Sequence, residues 1–128
     1  MSEFYQMPDE IRGQMIQIAF AGVESGQGKK SKIIFDCIKE IYPTSAAGDV
    51  GYALIEVYNG NYNKAINLLS KTIKQSSNCL EEARVILLFA MIMSGKKSEA
   101  KFKLNDFEKN ELMNSEMIEF TKSFIGSV

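Results

Sequence analysis

Few side chains in this 128-residue chain are of a kind that does chemistry, and their spacing narrows the choice further. There is no histidine, so a Ser–His or Cys–His nucleophile pair is impossible. Cys37 and Cys79 lie in apolar sequence without CxxC spacing, and with no histidine to join them they read as buried thiols of a reducing compartment. The segment "ESGQGKK", Glu24 to Lys30, has the glycines and lysines of a phosphate loop but lacks the GxxxxGK[ST] spacing. Its glycines read instead as helix terminators. Glu81 with Glu82, and Glu108 with Glu111, sit in polar sequence, whereas tuning a carboxyl for proton transfer needs apolar surroundings. No enzyme, no cofactor, no metal site and no small-molecule substrate are expected.

Charge excludes another class. The formal net charge is −1, and Lys29, Lys30 and Lys32 form too small a cluster to neutralise a run of phosphates. No nucleic-acid partner is expected, and the lysines read as a docking or solubilising patch. The start "MSEFYQMPDE" is acidic where a secretory signal is basic, and no apolar run approaches the roughly 20 residues that span a bilayer. The expectation is a soluble, cytoplasmic protein with no membrane contact, its length fitting one compact domain.

The elements that would position any functional surface follow from an internal repeat. Gly60 is followed five residues later by Ala65 and four beyond that by Leu69. Gly26, Ser31 and Phe35 repeat the pattern, as do Gly95, Ala100 and Leu104. The glycines are 34 and 35 residues apart, and the small residue with a large apolar one four later is the spacing of the tetratricopeptide (TPR) repeat. Pro43 closes the first unit where that pattern places a proline. Each unit should be a pair of antiparallel helices, the glycine ending the first in a left-handed conformation.

Helical periodicity agrees. First helices are predicted over about 8–24, 46–58 and 79–94, and second helices over about 29–42, 62–75 and 97–110. The second helices carry Ile34, Phe35, Ile38 and Ile41, then Ile66, Leu69 and Ile73, then Phe102, Leu104 and Phe107. Pro8 suits a first turn, Thr44 or Ser45 can cap the third helix, and Asn78 with Glu81 forms a variant capping box. A last segment, about 114–126, brings Met117, Phe120, Thr121 and Phe124 onto one side as a capping helix. The predicted fold is all-α: a single TPR-like domain over 1–128, with repeats at about 8–43, 44–77 and 78–110 forming a short right-handed solenoid.

In TPR arrays the first helix of each unit lines the concave face, and its fifth, ninth and twelfth places point inward. By that resemblance the groove positions are Ile16, Phe20 and Val23, then Val50, Leu54 and Val57, then Val85, Phe89 and Ile92. All are apolar, so the expected guest is an apolar surface such as an amphipathic helix presenting i, i+3, i+4 and i+7. Met15, Met91 and Met93 would help such a groove adapt. The same spacing also describes core between stacked units, so each position is groove or core. A free groove of this kind exceeds the apolar patch that a monomer leaves exposed, and an obligate partner is expected.

The runs "MIQIAFAGVESGQGKKSKIIFDCIKEI" and "GYALIEVYNGNYNKAINLLSK" resemble the small TPR chaperones of type III secretion needle subunits, the YscG type. In that family a helix of the "IALIGTG" kind precedes a repeat ending "RGDYxxAL". The resemblance covers about residues 10–110. It implies a chaperone of the bacterial cytoplasm that buries the needle subunit's amphipathic C-terminal helix in its groove. A second small helical co-chaperone of the YscE type completes the complex and prevents early polymerisation. This chain departs in having extra residues before Met7 and an extended third repeat. Two alternatives stand beside it: a translocator chaperone of the SycD type, which would take an extended peptide, and a TPR adaptor of another pathway.

Overall fold

The computed structural model describes the backbone of residues 9–75 and 80–126, and the side chains of 16–75, 80–123 and 125. Among the described residues there are seven α-helices and no strand: α1 (Asp9–Glu24), α2 (Gly28–Ile41), α3 (Ala47–Tyr58), α4 (Tyr62–Gln75), α5 (Leu80–Met93), α6 (Lys97–Lys109) and α7 (Ser115–Gly126). Each agrees with its predicted span to within one residue. The apolar period and the three glycines carry that information locally.

The turns show why. Gly26, Gly60 and Gly95 have φ of 86°, 81° and 87°, a conformation that a Cβ disfavours. Each glycine N–H donates to the carbonyl three residues back, Val23, Val57 and Ile92, at 3.1, 3.0 and 3.1 Å. The next residue donates across the turn, Gln27 to Gly22 at 2.7 Å, Asn61 to Glu56 at 2.8 Å and Lys96 to Met91 at 2.8 Å. This is the Schellman closure, which satisfies carbonyls that the helix end would orphan. The following small residue then donates back, Ser31 to Gln27, Ala65 to Asn61 and Ala100 to Lys96. Three turns thus have one hydrogen-bond pattern, so the sequence repeat is a repeat of backbone geometry.

Each helix packs against its successor, and the odd helices also pack on one another, α1 on α3, α3 on α5 and α5 on α7. Two apolar clusters result. The smaller joins α1, α2 and α3 around Phe35, which has 0% exposure and lies with its ring centroid 5.3 Å from Phe20 and 6.4 Å from Tyr52. Burial of such a ring contributes about 1.5–3 kcal/mol. The larger runs from α3 through α7 and includes Val50, Leu69, Leu87, Leu88, Leu104 and Ile118. The α2–α3 crossing is close because α3 carries glycine there. A Cβ on Gly51 would stand 2.3 Å from the Phe35 ring, and one on Gly48 would stand 3.3 Å from the Phe35 carbonyl oxygen.

Polar groups close the seams. Tyr52 donates its hydroxyl to Asp36, Lys39 pairs with Asp49 at 2.7 Å, and both Lys32 and Lys39 lie over the Tyr52 ring, joining α2 to α3. Lys122 pairs with Glu108 at 3.1 Å between α7 and α6. Buried Arg84 donates Nη1 to the Leu112 carbonyl at 2.7 Å and stands 5.7 Å from the Phe107 ring centroid, pinning the segment after α6 onto α5.

Several local expectations are corrected. Cys37 is exposed, because α2 buries the stripe Ser31, Phe35, Ile38 and Ile41 and position 37 falls off it. Phe102 is 77% exposed, since Ala100, Leu104 and Phe107 form the buried face of α6. Among the described side chains of α7 the buried ones are Ile118, Thr121 and Ile125, whereas Phe120 is 64% exposed, so the stripe is rotated from the one expected; the Phe124 side chain lies outside the described residues. The N-cap of α3 is Ala46, with no side-chain cap, rather than Thr44 or Ser45; the Ser45 hydroxyl accepts the Ala47 amide at 3.2 Å from one residue before it. Glu81 reaches the backbone N–H of Asn114 at 2.7 Å, and the Asn114 side chain caps α7 by accepting the Met117 amide at 2.9 Å. Pro8, Asn78 and Cys79 lie outside the described residues. No helix among the described residues is long and apolar enough to cross a membrane.

Candidate binding groove

The last turns of α1, α3 and α5 meet in a groove of about 460 Å³. Glu24, Tyr58 and Met93 are the final residues of α1, α3 and α5, and all three line it. Their spacing is that of the glycines, because each stands two positions before a turn glycine whose geometry repeats. One turn earlier, Leu54 and Phe89 occupy corresponding places in α3 and α5, and Val85 and Ile86 continue the wall along α5. Tyr62, the first residue of α4, enters from the turn, and Phe120 of α7 closes the far side.

Among the nine positions anticipated for the groove, the structure separates two sets. Val23, Val50, Val57 and Ile92 are buried in the core, with exposures of 2, 0, 6 and 4%. Ile16, Phe20, Leu54, Val85 and Phe89 are half-buried. Leu54, Val57, Val85 and Phe89 line the groove, and Ile92 borders a narrow crevice that it shares with Val85, Phe89, Phe120 and Thr121. Of the methionines, Met91 is buried and Met93 is 46% exposed in the groove wall, while the Met15 side chain lies outside the described residues.

Sequence reasoning missed Glu24, Tyr58, Tyr62, Ile86 and Phe120 as lining residues. A signal for two of them existed: Tyr58 is one helical turn beyond Leu54, as Met93 is beyond Phe89, and Glu24 shares their repeat position. Phe120 carried no such signal. Its direction depends on how α7 docks, which is a tertiary fact.

The chemistry of the lining is simple. Two phenols and one carboxylate interrupt an otherwise aliphatic, thioether and aromatic surface. Sites for small polar molecules converge several donors and acceptors on the ligand, and this surface does not. It suits an apolar face that arrives already folded, with its own backbone hydrogen bonds satisfied. Among the described residues no cluster of three acidic or cysteine side chains stands close enough to hold a metal ion. Compared with protein-family models, curated proteins and solved structures, the chain matches none.

Proposed function

We propose that this protein is a helix-binding chaperone of TPR-like architecture, and that its client is the needle subunit of a type III secretion system. The observation that carries the reading is the apolar groove at the ends of α1, α3 and α5, walled by Leu54, Tyr58, Phe89 and Met93. An amphipathic client helix would fill it and cover its side chains. The TPR-like solenoid is supported by the three identical turn patterns and by the stacking of odd helices on one another. The client's identity rests on the sequence resemblance to the YscG-type chaperones. That resemblance also implies a YscE-type co-chaperone and a bacterial cytoplasmic location.

Native mass spectrometry of the chain produced alone and with a needle-type subunit and co-chaperone tests this. The expected result is a soluble complex with one copy of each. In Met93→Asp, client affinity should fall at least about tenfold, because a carboxylate must be desolvated in an apolar contact. Met93 is 46% exposed, so helical content by circular dichroism should be unchanged. A stable monomer indifferent to both proteins would sink the proposal.

A further inference from the structure

Charge at the groove is asymmetric in a way the turns explain. Helix carbonyls sum to a partial negative charge at the C-terminus, and a cation in the last turn normally offsets it. Helices α2, α4 and α6 each carry a lysine there, Lys39, Lys74 and Lys109. Helices α1, α3 and α5 carry no basic residue in the last turn. These are the helices whose final residues line the groove. The last residue of α1 adds a full negative charge, Glu24, which is exposed and forms no ion pair among the described residues. It is also the one charged side chain among the described residues lining the groove. Tyr58 and Tyr62, in the same wall, present aromatic rings of the kind that attracts ammonium and guanidinium groups.

We infer that the guest of this groove is an amphipathic helix that bears Lys or Arg at one end of its apolar face, the cation seating against Glu24 and the uncompensated helix ends. This rests on the groove reading above and adds the guest's charge and its orientation. The apolar wall supplies affinity, and the single charged end selects which way round the helix enters, since the reversed helix would leave Glu24 without a counter-charge.

Designed helical peptides of about 18 residues test it with the full chain. All share one apolar face at i, i+3, i+4 and i+7, and carry paired Lys, Gln or Glu at the N-terminal end in one set and at the C-terminal end in the other. Binding is measured by fluorescence anisotropy at low and high salt. In one set the Lys peptide should bind about fivefold or more tightly than the Glu peptide at low salt. That ratio should shrink at high salt and invert in Glu24→Lys. Glu24 is exposed at a helix C-terminus, where a lysine is favourable, so this variant should fold. Equal affinities in both sets, or a ratio that Glu24→Lys does not move, would overturn the charge inference while leaving the groove standing. Failure of every peptide to bind, or binding of the Gln peptide unaltered by Met93→Asp, would overturn both.

Discussion

Gly51 and Glu111 are the residues at which side-chain identity and backbone geometry meet most sharply. Phe35 occupies the space that a Cβ on Gly51 would need, at 2.3 Å, and Phe35 is fully buried between α1 and α3. Gly51→Ala should therefore destabilise the fold by about 1–3 kcal/mol despite alanine's better helix propensity, because a packed aromatic must move. Urea denaturation against the parent chain measures this, and an unchanged midpoint would mean that the ring has room to yield. Glu111 is the mirror case. Helix α6 closes with the same Schellman pattern as the repeats, Glu111 donating to Glu108 at 3.2 Å and Leu112 to Phe107 at 2.8 Å, but the left-handed position, φ 55°, is held by a glutamate. Glu111→Gly should raise stability by roughly 0.5–1 kcal/mol, the relief of left-handed strain less the extra entropy of an unfolded glycine. A higher denaturation midpoint with the same slope is the expected readout.

Pairs of elements are held by contacts that no periodicity reveals. Between α2 and α3, Tyr52 donates to Asp36 while two lysines face its ring. That hydrogen bond, the largest effect, holds the Asp36 carboxyl below its ordinary 3.8; burial opposes it, and the hydrogen bond and charge of Lys32 add to the lowering. Burial, then the Asp36 contact, pushes the Tyr52 phenol well above its usual value. The Asp36 contribution is complete above pH 3.8 and is lost as pH falls through the lower folded value. The Tyr52 contribution is complete below pH 10.0 and is lost as pH rises through its raised folded value. In Tyr52→Phe, stability should decline less steeply than in the parent as pH falls below 3.8, where the lowered Asp36 still holds its charge in the folded chain. Denaturation midpoints across that range decide it, and parallel curves would show the contact to be worth nothing. Helix α7 is attached in the same non-local manner, through Glu81 to the Asn114 amide and Lys122 to Glu108.

Across the described residues, the terminal lysines and the apolar groove belong to different helices. Even helices carry the terminal lysines, while α1, α3 and α5 bring their uncompensated ends and their last turns to one groove. Phe120, exposed on α7, extends that surface, so the last helix contributes a wall while its Ile118 and Ile125 bury against the α5–α6 pair. Exposed Phe102 lies on α6, beside a separate hollow of about 420 Å³.

How much of this the residues alone announced depends on range. Helix spans, the three turn glycines and the small residues at 31, 65 and 100 were legible because each expresses a preference satisfied within a few residues: a period, a φ that glycine tolerates, a close crossing. Half-legible was the groove. The apolar stripes of α1, α3 and α5 are visible in sequence, but burial of Val57 and Ile92 against exposure of Tyr58 and Met93 separates neighbouring residues, a single helical step. A rotation that small is fixed by neighbouring helices, not by the helix itself. The same reason turned Cys37 and Phe102 outward and set Phe120 into the groove wall. Sequence by itself determined the elements and their repeat. Tertiary packing decided which side of each stripe meets solvent, because that choice is made by the partners a helix buries against.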